Sequence, residues 1–287
     1  MTMSTASHPR GAGSTLGVGT KRATPAGGLY LDAHVHCYPS HGIDRMLRAL
    51  LAFASRRRPG ATAALLLLER QGSAAGWNPR CEEDAARSGW RTVIVPGDPL
   101  ACDLESDAGR VRVYAGRQLV SAERLEVAVI GPAGAAADGQ PLATILAAVT
   151  GAGGYPLLAW GVGKWLGGRG RLVLDWVRRA CPADGGLSDS ALRPLCWPLP
   201  AAMRLARRRG LPVLAGSDPM PRPADAGIVG RYAAWLPLDE VEPPNTVGLI
   251  RALQKPPPGL KTVGRRSGPV TFLLRQTSAR QQQRLSH

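Results

Sequence analysis

The sequence predicts a single α/β domain built as a (β/α)7–8 barrel, and three observations favour this class. The chain has 287 residues, which suits one barrel-sized domain better than two small ones. Short apolar runs alternate with helical patterns over most of its length. No GxGxxG motif follows the first predicted strand, which disfavours a dinucleotide-binding sheet.

The two ends of the chain lack this alternation. Residues 1–27 are rich in Gly, Ser, Thr, Ala and Pro, a composition typical of a disordered leader. Residues 276–287 are polar and rich in Gln and Arg, and we expect a frayed tail there. The predicted barrel domain therefore occupies residues 28–275.

The first predicted unit is a strand, a helix and a second strand. Residues 29–35 and 62–68 are apolar without alternation, as in parallel strands buried on both faces. Between them, apolar residues recur at helical spacing over residues 43–54. Two parallel strands joined in this way imply a right-handed crossover.

The same alternation predicts the remaining elements. Further strands are expected over residues 91–96, 111–114, 118–120, 126–130, 157–160 and 211–216. Further helices are expected over residues 78–89, 141–149, 172–180, 203–209 and 245–254.

Charge and composition narrow the expected partners. The net charge of +15 comes from basic residues spread along the chain, and the chain has just two Phe and five Tyr, which are common platforms for bases. We therefore do not expect a nucleic acid and expect an anionic small-molecule substrate instead. No run of about 18 apolar residues exists to cross a membrane. The five scattered cysteines include no CxxC pair, which indicates reduced thiols and a cytoplasmic protein.

The first candidate site is a group of polar residues at the end of the first predicted strand. Asp32, His34 and His36 share one face of a regular strand, at the barrel end where active sites lie. Two imidazoles on a rigid strand form a half-site for Zn, Mn or Fe, and Asp32 could ligate or orient an imidazole. The competing interpretation is a pair of structural histidines.

A second candidate, Asp218, follows the predicted strand at residues 211–216. An apolar strand ends there in a small-residue turn that presents this carboxylate at the same end of the barrel. On its own, Asp218 is equally well interpreted as a turn or N-cap aspartate.

A third candidate is the glycine-rich segment over residues 160–171. Glycines leave main-chain amides approachable, and Lys164, Arg169 and Arg171 are predicted to bind an anion near the N-terminus of the next helix. An ordinary loop with solvated basic residues is the alternative.

The first two segments together resemble a known family. Residues 32–42, Asp-Ala-His-Val-His-Cys-Tyr-Pro-Ser-His-Gly, resemble the DxHxH opening of PHP-domain (polymerase and histidinol phosphatase) proteins, and Gly216-Ser217-Asp218 resembles their late Gly-Ser-Asp motif. The resemblance implies a distorted TIM-like, PHP-like barrel and a metal-dependent hydrolase acting on phosphoesters. The wider amidohydrolase superfamily shares these two features, so C–N bond hydrolysis is an alternative.

Several positions depart from the family pattern. Its bridging glutamate is replaced by Gln118, and its later histidines are replaced by Arg70, Glu126, Trp160 and Met220. The resemblance therefore implies one divalent ion, Zn or Mn, rather than a cluster. A further alternative is a barrel that has lost catalysis and serves as a binding or assembly protein.

The resemblance implies the following roles for the residues that are left in place. The predicted ligands are His34, His36, His41 and Asp218, with Glu69 and Glu126 as further candidates. Asp218 or Glu126 is predicted to accept a proton from water. Asp32 and Gln118 are predicted to orient the ligand side chains by hydrogen bonds without binding the metal themselves.

Overall fold

A computed structural model describes Met1 and residues 27–38, 40–69, 79–238 and 243–268. Nearly all of the predicted leader and the whole of the predicted tail lie outside these residues, as do Arg70 and the first residue of the helix predicted over residues 78–89.

Strands and helices alternate over much of the described chain, but four strands follow one another without a helix between residues 91 and 130. The strands are β1 (Gly28–Val35), β2 (Thr62–Glu69), β3 (Arg91–Ile94), β4 (Ala101–Ser106), β5 (Gly109–Val120), β6 (Glu126–Ile130), β7 (Tyr155–Ala159), β8 (Gly186–Ser190), β9 (Val213–Gly216), β10 (Tyr232–Pro237) and β11 (Lys261–Gly264). The helices are α1 (Ile43–Arg57), α2 (Pro79–Arg87), α3 (Leu142–Gly151), α4 (Gly167–Arg179), α5 (Ala201–Arg208) and α6 (Thr246–Gln254), with a 3-10 helix at Pro223–Ile228. None of these described helices is long and apolar enough to cross a membrane.

The strands curl into a nearly closed barrel, which confirms the predicted class. Nine of them follow one another in the order β11, β10, β1, β2, β5, β6, β7, β8, β9, and β3 and β4 extend the sheet from β5. The main-chain N–H of Asp218, just after β9, donates to the carbonyl of His34 in β1 over 2.9 Å. This contact brings β9, the last strand of the order, back to β1.

Strand direction distinguishes this barrel from a regular one. The pairs β1–β2, β2–β5, β7–β8 and β8–β9 are parallel, whereas β6 runs antiparallel to both of its neighbours. A regular (β/α) barrel is wholly parallel, so the structure is a distorted version of it. Because β6 is reversed, its first residue, Glu126, lies beside the last residue of β7, Ala159. Glu126 therefore lies at the end of the barrel where the parallel strands finish.

Apolar side chains fill both the inside and the outside of the sheet. The barrel interior is packed by residues such as Leu31, Leu66, Tyr114 and Leu214, and α6 covers the opposite end from Glu126. One outer layer joins β1, β2 and β5 to α1 and α2, and a second joins β6 to β9 to α3, α4 and α5. The end of the barrel that carries Glu126 is where the polar residues meet.

Candidate metal centre

A bulge near the end of β1 decides which of its polar side chains face the interior. The register with β2 shifts between Asp32 and Val35. Before the shift Tyr30 belongs to the outer layer, and after it Val35 does. The alternation of faces is thus inverted, so His34 and His36 face the interior while Asp32 stays on the outer side with Tyr30. The prediction that all three side chains share a face is wrong because it assumed a regular strand.

Two imidazoles and one carboxylate meet inside the barrel mouth. The Nε2 atoms of His34 and His36 are 3.2 Å apart, and Nε2 of His34 is 3.8 Å from Oδ1 of Asp218. The three ligand atoms all lie within 4.8 Å of one another. Two nitrogen ligands of a tetrahedral ion, each about 2.0–2.1 Å from it, are separated by about 3.3 Å. The donor set therefore fits one divalent ion.

The ring of His36 is held by a main-chain contact. Its Nδ1 lies 2.7 Å from the carbonyl oxygen of Leu68, which can only accept a hydrogen bond. Nδ1 must carry the proton, and Nε2 is left with the lone pair that a metal needs. Nδ1 of His34 is buried and has no hydrogen-bond partner among the residues that the structure describes.

Asp218 is fixed in an unusual conformation. Its φ of +48° lies in the left-handed region, which non-glycine residues enter rarely and mostly at functional sites. The hydroxyl of Ser190, at the end of β8, donates to Oδ2 of Asp218 over 2.8 Å. Oδ1 is the oxygen that faces His34. Ser190 thus holds the carboxylate through Oδ2, while Oδ1 points toward the imidazoles.

Asp32 anchors the main chain that carries Asp218. Its carboxylate accepts hydrogen bonds from the N–H groups of Ser217 at 2.8 Å and Gly230 at 2.7 Å, and from that of His34 at 3.4 Å. Burial raises the pKa of Asp32 to about 6, although these hydrogen bonds act to lower the pKa. Asp32 thus supports the site through the backbone rather than through an imidazole.

His41 lies near the group but is not part of it. Its Nε2 is 2.8 Å from the carbonyl oxygen of Met220, and its ring packs edge-on against Tyr38 with centroids 5.3 Å apart. The Tyr38 ring also contacts that of His36, at 5.8 Å. Among the described residues, the structure brings together His34, His36 and Asp218 and leaves His41 bound to the loop after β9.

Three further predicted residues line the neighbouring strands. Glu69 ends β2 opposite Arg117 and is outside the three-residue group. Gln118 is buried on β5, and its Oε1 has no hydrogen-bond partner within the described part of the chain. Glu126, on β6, forms an ion pair with Lys164. These three side chains lie on β2, β5 and β6, the strands that follow β1 in order around the barrel.

The predicted anion-binding residues are divided by the structure. Lys164 contacts Glu126 from the loop after β7, so its charge is directed at a carboxylate. Arg169 donates to the carbonyl of Gly163 over 3.1 Å, and Arg171 is exposed in α4. Of the three, Lys164 is the one connected to the barrel mouth.

Ser190 is the site residue that sequence reasoning missed. It ends β8, whose Gly-Leu-Ser-Asp-Ser sequence has the composition of a turn rather than of a buried strand. Serines at alternate positions, Ser188 and Ser190, were the available signal, since they share one face of a strand.

Comparisons with known proteins give distant structural similarities only. No protein-family model and no curated protein matches this chain. A crystal structure of PsfC from Pseudomonas syringae PB-5123 is 15% identical, with 89% of this chain and 99% of that chain covered at a TM-score of 0.49.

Two crystal structures of endonuclease Q are also similar. PfuEndoQ from Pyrococcus furiosus, a lesion-specific endonuclease, is 13% identical over 82% of this chain and 57% of that chain, with a TM-score of 0.43. Endonuclease Q in complex with a 27-mer duplex substrate with an abasic lesion at the active site is 12% identical, over 83% and 59%, with a TM-score of 0.41. This chain thus spans less than two thirds of either endonuclease chain.

The second of these structures corrects one expectation. A protein of similar fold is described with a nucleic-acid duplex as its substrate. The description of that endonuclease stands against the prediction that a nucleic acid is not a partner.

Proposed function

We propose that this chain is a metal-dependent hydrolase of phosphoester bonds. The observation that carries the proposal is the convergence of His34, His36 and Asp218, with the two Nε2 atoms 3.2 Å apart and all three ligand atoms within 4.8 Å of one another. The group lies at the barrel end where active sites of (β/α) barrels are found. The resemblance of residues 32–42 and 216–218 to PHP-domain proteins supports phosphoesters as the substrate class.

Each residue has a role that its contacts support. A divalent ion held by the three ligands would polarise a phosphoryl oxygen and make a water molecule more acidic. His36 keeps its Nε2 lone pair available through the Leu68 hydrogen bond, and Ser190 holds Asp218 so that Oδ1 faces His34. Asp218 or Glu126 takes the proton of the attacking water.

Lys164 has a positioning role in this proposal. Its ammonium group pairs with Glu126, which is largely buried, and this contact fixes the position of the carboxylate at the barrel mouth. Glu126 would then act as a base, while the second base candidate, Asp218, is engaged with Ser190 and His34.

The proposal is tested with a panel of phosphomonoesters and phosphodiesters that includes single-stranded and duplex oligonucleotides. We expect hydrolysis with added Zn²⁺ or Mn²⁺ and its loss in His34→Ala and Asp218→Asn. Asp175→Asn, which removes an exposed carboxylate of α4, is the matched control and should keep full activity. Activity that survives both site substitutions would place the chemistry elsewhere.

A second candidate is a barrel that binds a metal and a ligand without turning it over. Trp160, which replaces a histidine of the resembled family, is buried in the outer apolar layer and packs against Trp197 with ring centroids 6.3 Å apart. That position serves packing rather than ligation. Metal binding that depends on His34, together with a panel rate equal to that of His34→Ala, would favour this candidate.

A further inference from the structure

Two helices on one side of the barrel expose a strongly basic surface. The helices α4 and α5 pack against each other, and Arg209, just after α5, donates to the carbonyl of Ala180 at the end of α4 over 3.3 Å. Both helices follow parallel strands and end together, so they run side by side in one direction. Their exposed arginines define what we call the α4–α5 face: Arg171, Arg178, Arg179, Arg204, Arg207 and Arg208.

The positive charge of the α4–α5 face is largely unbalanced. Asp175 is the one carboxylate in the two helices, and it pairs with Arg178 over 2.6 Å. The arginines that end α1, in contrast, lie over the Phe53 ring, with guanidinium carbons 5.1 and 4.8 Å from its centroid. The α4–α5 face therefore keeps five arginines that no carboxylate of the described residues contacts, which suits a polyanion.

A cavity walled by tryptophans opens at the mouth end of the α4–α5 face, between the loops that follow β7 and β8. Its volume is about 240 Å³, and its walls include Trp160, Trp165 and Trp197, with Leu166 just before α4. An engineered apolar cavity of about 150 Å³ holds benzene, so this one has room for a larger planar ring. Arg204 borders the cavity and also belongs to the α4–α5 face, so the two features are continuous.

The aromatic walls of this cavity are held in position. Nε1 of Trp165 donates to a main-chain carbonyl of β7 over 3.0 Å, and the Trp197 ring packs edge-on against the buried ring of Trp160. The carbonyl of Trp197 accepts hydrogen bonds from Arg193 at 3.2 Å and from Arg266 at 3.3 Å. Trp165 and Trp197 are half-buried, so each ring keeps a surface for a ligand. Rings fixed in this way stack on a base with little further ordering.

The cavity is connected to the metal centre on both of its sides. Residues 160–166 join β7 to α4 and line the cavity, and Lys164 within them pairs with Glu126 at the barrel mouth. On the other side, β8 ends at Ser190, which holds the metal ligand Asp218, and the loop after it carries Trp197. A ligand that occupies the cavity thus lies beside the proposed reaction site.

We propose that the α4–α5 face and the tryptophan cavity bind a single-stranded nucleic acid, with its phosphates on the arginines and one base stacked against Trp165 and Trp197. A base enters the cavity only when it is unpaired and unstacked, and a single strand already offers such bases. That this strand is a substrate rests on the proposed hydrolysis of phosphoesters, whereas its binding does not.

Binding is tested by fluorescence anisotropy with a labelled oligothymidylate of about 12 nucleotides, on the full-length protein with EDTA present. An abasic oligomer of the same length keeps the phosphates and lacks the bases. We expect it to bind at least about fivefold more weakly, the lower limit for stacking of one base. Equal affinity would overturn base binding in the cavity. Tighter binding of a duplex of that length, or of a polyglutamate peptide, would overturn the assignment to a single strand.

The cavity is tested by two substitutions of one tryptophan. Trp197→Leu should weaken oligothymidylate binding by about fivefold or more, because the stacking surface is lost. Trp197→Phe keeps a ring and should bind nearly as tightly as wild type. Circular dichroism checks that both variants fold. Weaker binding in both variants, or in neither, would overturn stacking on Trp197.

The α4–α5 face is tested by the salt dependence of binding. The double variant Arg171→Gln, Arg208→Gln should lower the slope of log affinity against log salt by about 0.7 for each arginine, because fewer phosphates are neutralised. The matched control, Arg56→Gln with Arg251→Gln, removes two exposed arginines from α1 and α6 and should keep the wild-type slope. Equal slopes in the two double variants would overturn the α4–α5 face as the binding surface.

A cleavage assay separates this proposal from the proposed function. With Zn²⁺ or Mn²⁺ in place of EDTA, we expect the wild type to cleave the oligothymidylate, and Trp197→Leu to raise KM more than it lowers kcat. Binding of the oligothymidylate without hydrolysis of any phosphoester would overturn the proposed function and leave the binding surface standing. Hydrolysis of phosphomonoesters without oligothymidylate binding would overturn the surface and leave the proposed function standing.

Discussion

The main chain of Gly216 lies against His34 at the point where β9 meets β1. A Cβ atom at Gly216 would be 2.3 Å from the Cβ of His34 and 2.5 Å from its main-chain nitrogen. Backbone atoms cannot move aside as the end of a flexible side chain can. The glycine of the Gly-Ser-Asp segment is therefore what allows Asp218 to approach the histidines.

Gly216→Ala should disrupt both the fold and the site. We expect a loss of about 1–3 kcal/mol in the free energy of unfolding, because overpacking at a rigid contact forces backbone shifts, and we expect weaker metal binding. Gly151→Ala, where an added Cβ meets no atom within 4 Å, is the control. Urea unfolding and metal titration of both variants provide the check. A Gly216→Ala protein with wild-type unfolding free energy and metal affinity would refute the close approach.

Ser190→Ala should lower metal affinity without unfolding the protein. The hydroxyl that orients Asp218 is lost, and partners of this kind are worth about 10–100-fold in affinity. Ser188→Ala is a close control, since the buried Ser188 hydroxyl lies on the same strand face and none of the described residues hydrogen-bonds to it. Equal Zn²⁺ affinities in the two variants would show that Ser190 does not support Asp218.

Asp32→Asn should change how stability depends on pH. The pKa of Asp32 is raised from 3.8 to about 6 by burial, so the native chain binds more protons than the unfolded chain between these values. The stability that this carboxyl contributes is present below the unfolded pKa and is lost as the pH rises through about 6. Unfolding of both metal-free proteins at about pH 4 and about pH 7 should show wild type losing stability relative to the variant. If the stability of wild type relative to Asp32→Asn instead increased with pH, the result would contradict this sign.

Glu126→Gln should reduce kcat with metal content unchanged. Loss of a general base costs about 10²–10⁴-fold, whereas Glu126 is not among the three ligands. Lys164→Met should reduce kcat less, because it removes the ion-pair partner that holds the Glu126 carboxylate in place. Metal loss in Glu126→Gln would instead make Glu126 a ligand.

Much of the fold follows from the apolar pattern of the sequence. The prediction for residues 126–130 coincides with β6, and α1 begins at Ile43 as its stripe predicts. The strand β8 was not predicted, because Gly186–Ser190 has a polar, turn-like composition. Arg193 and Tyr232 make that composition compatible with burial, since both donate hydrogen bonds to the carboxylate of Asp189.

The site was predictable to a smaller extent. His34, His36 and Asp218 could be predicted because strand ends in a barrel converge on one mouth. The outward-facing position of Asp32 could not be predicted, because the bulge that inverts the strand faces has no recognisable sequence pattern here. The pairing of Glu126 with Lys164 also required the reversed direction of β6, which is a tertiary property.

The metal content of the purified protein is the most direct test of the account. After incubation with Zn²⁺ or Mn²⁺ and removal of the excess, we predict about one ion per chain in the wild type. The double variant His34→Ala, His36→Ala should retain less than about a tenth of an ion, with its circular dichroism unchanged. Less than about a tenth of an ion in the wild type, or equal metal in both proteins, would contradict a metal centre at these residues.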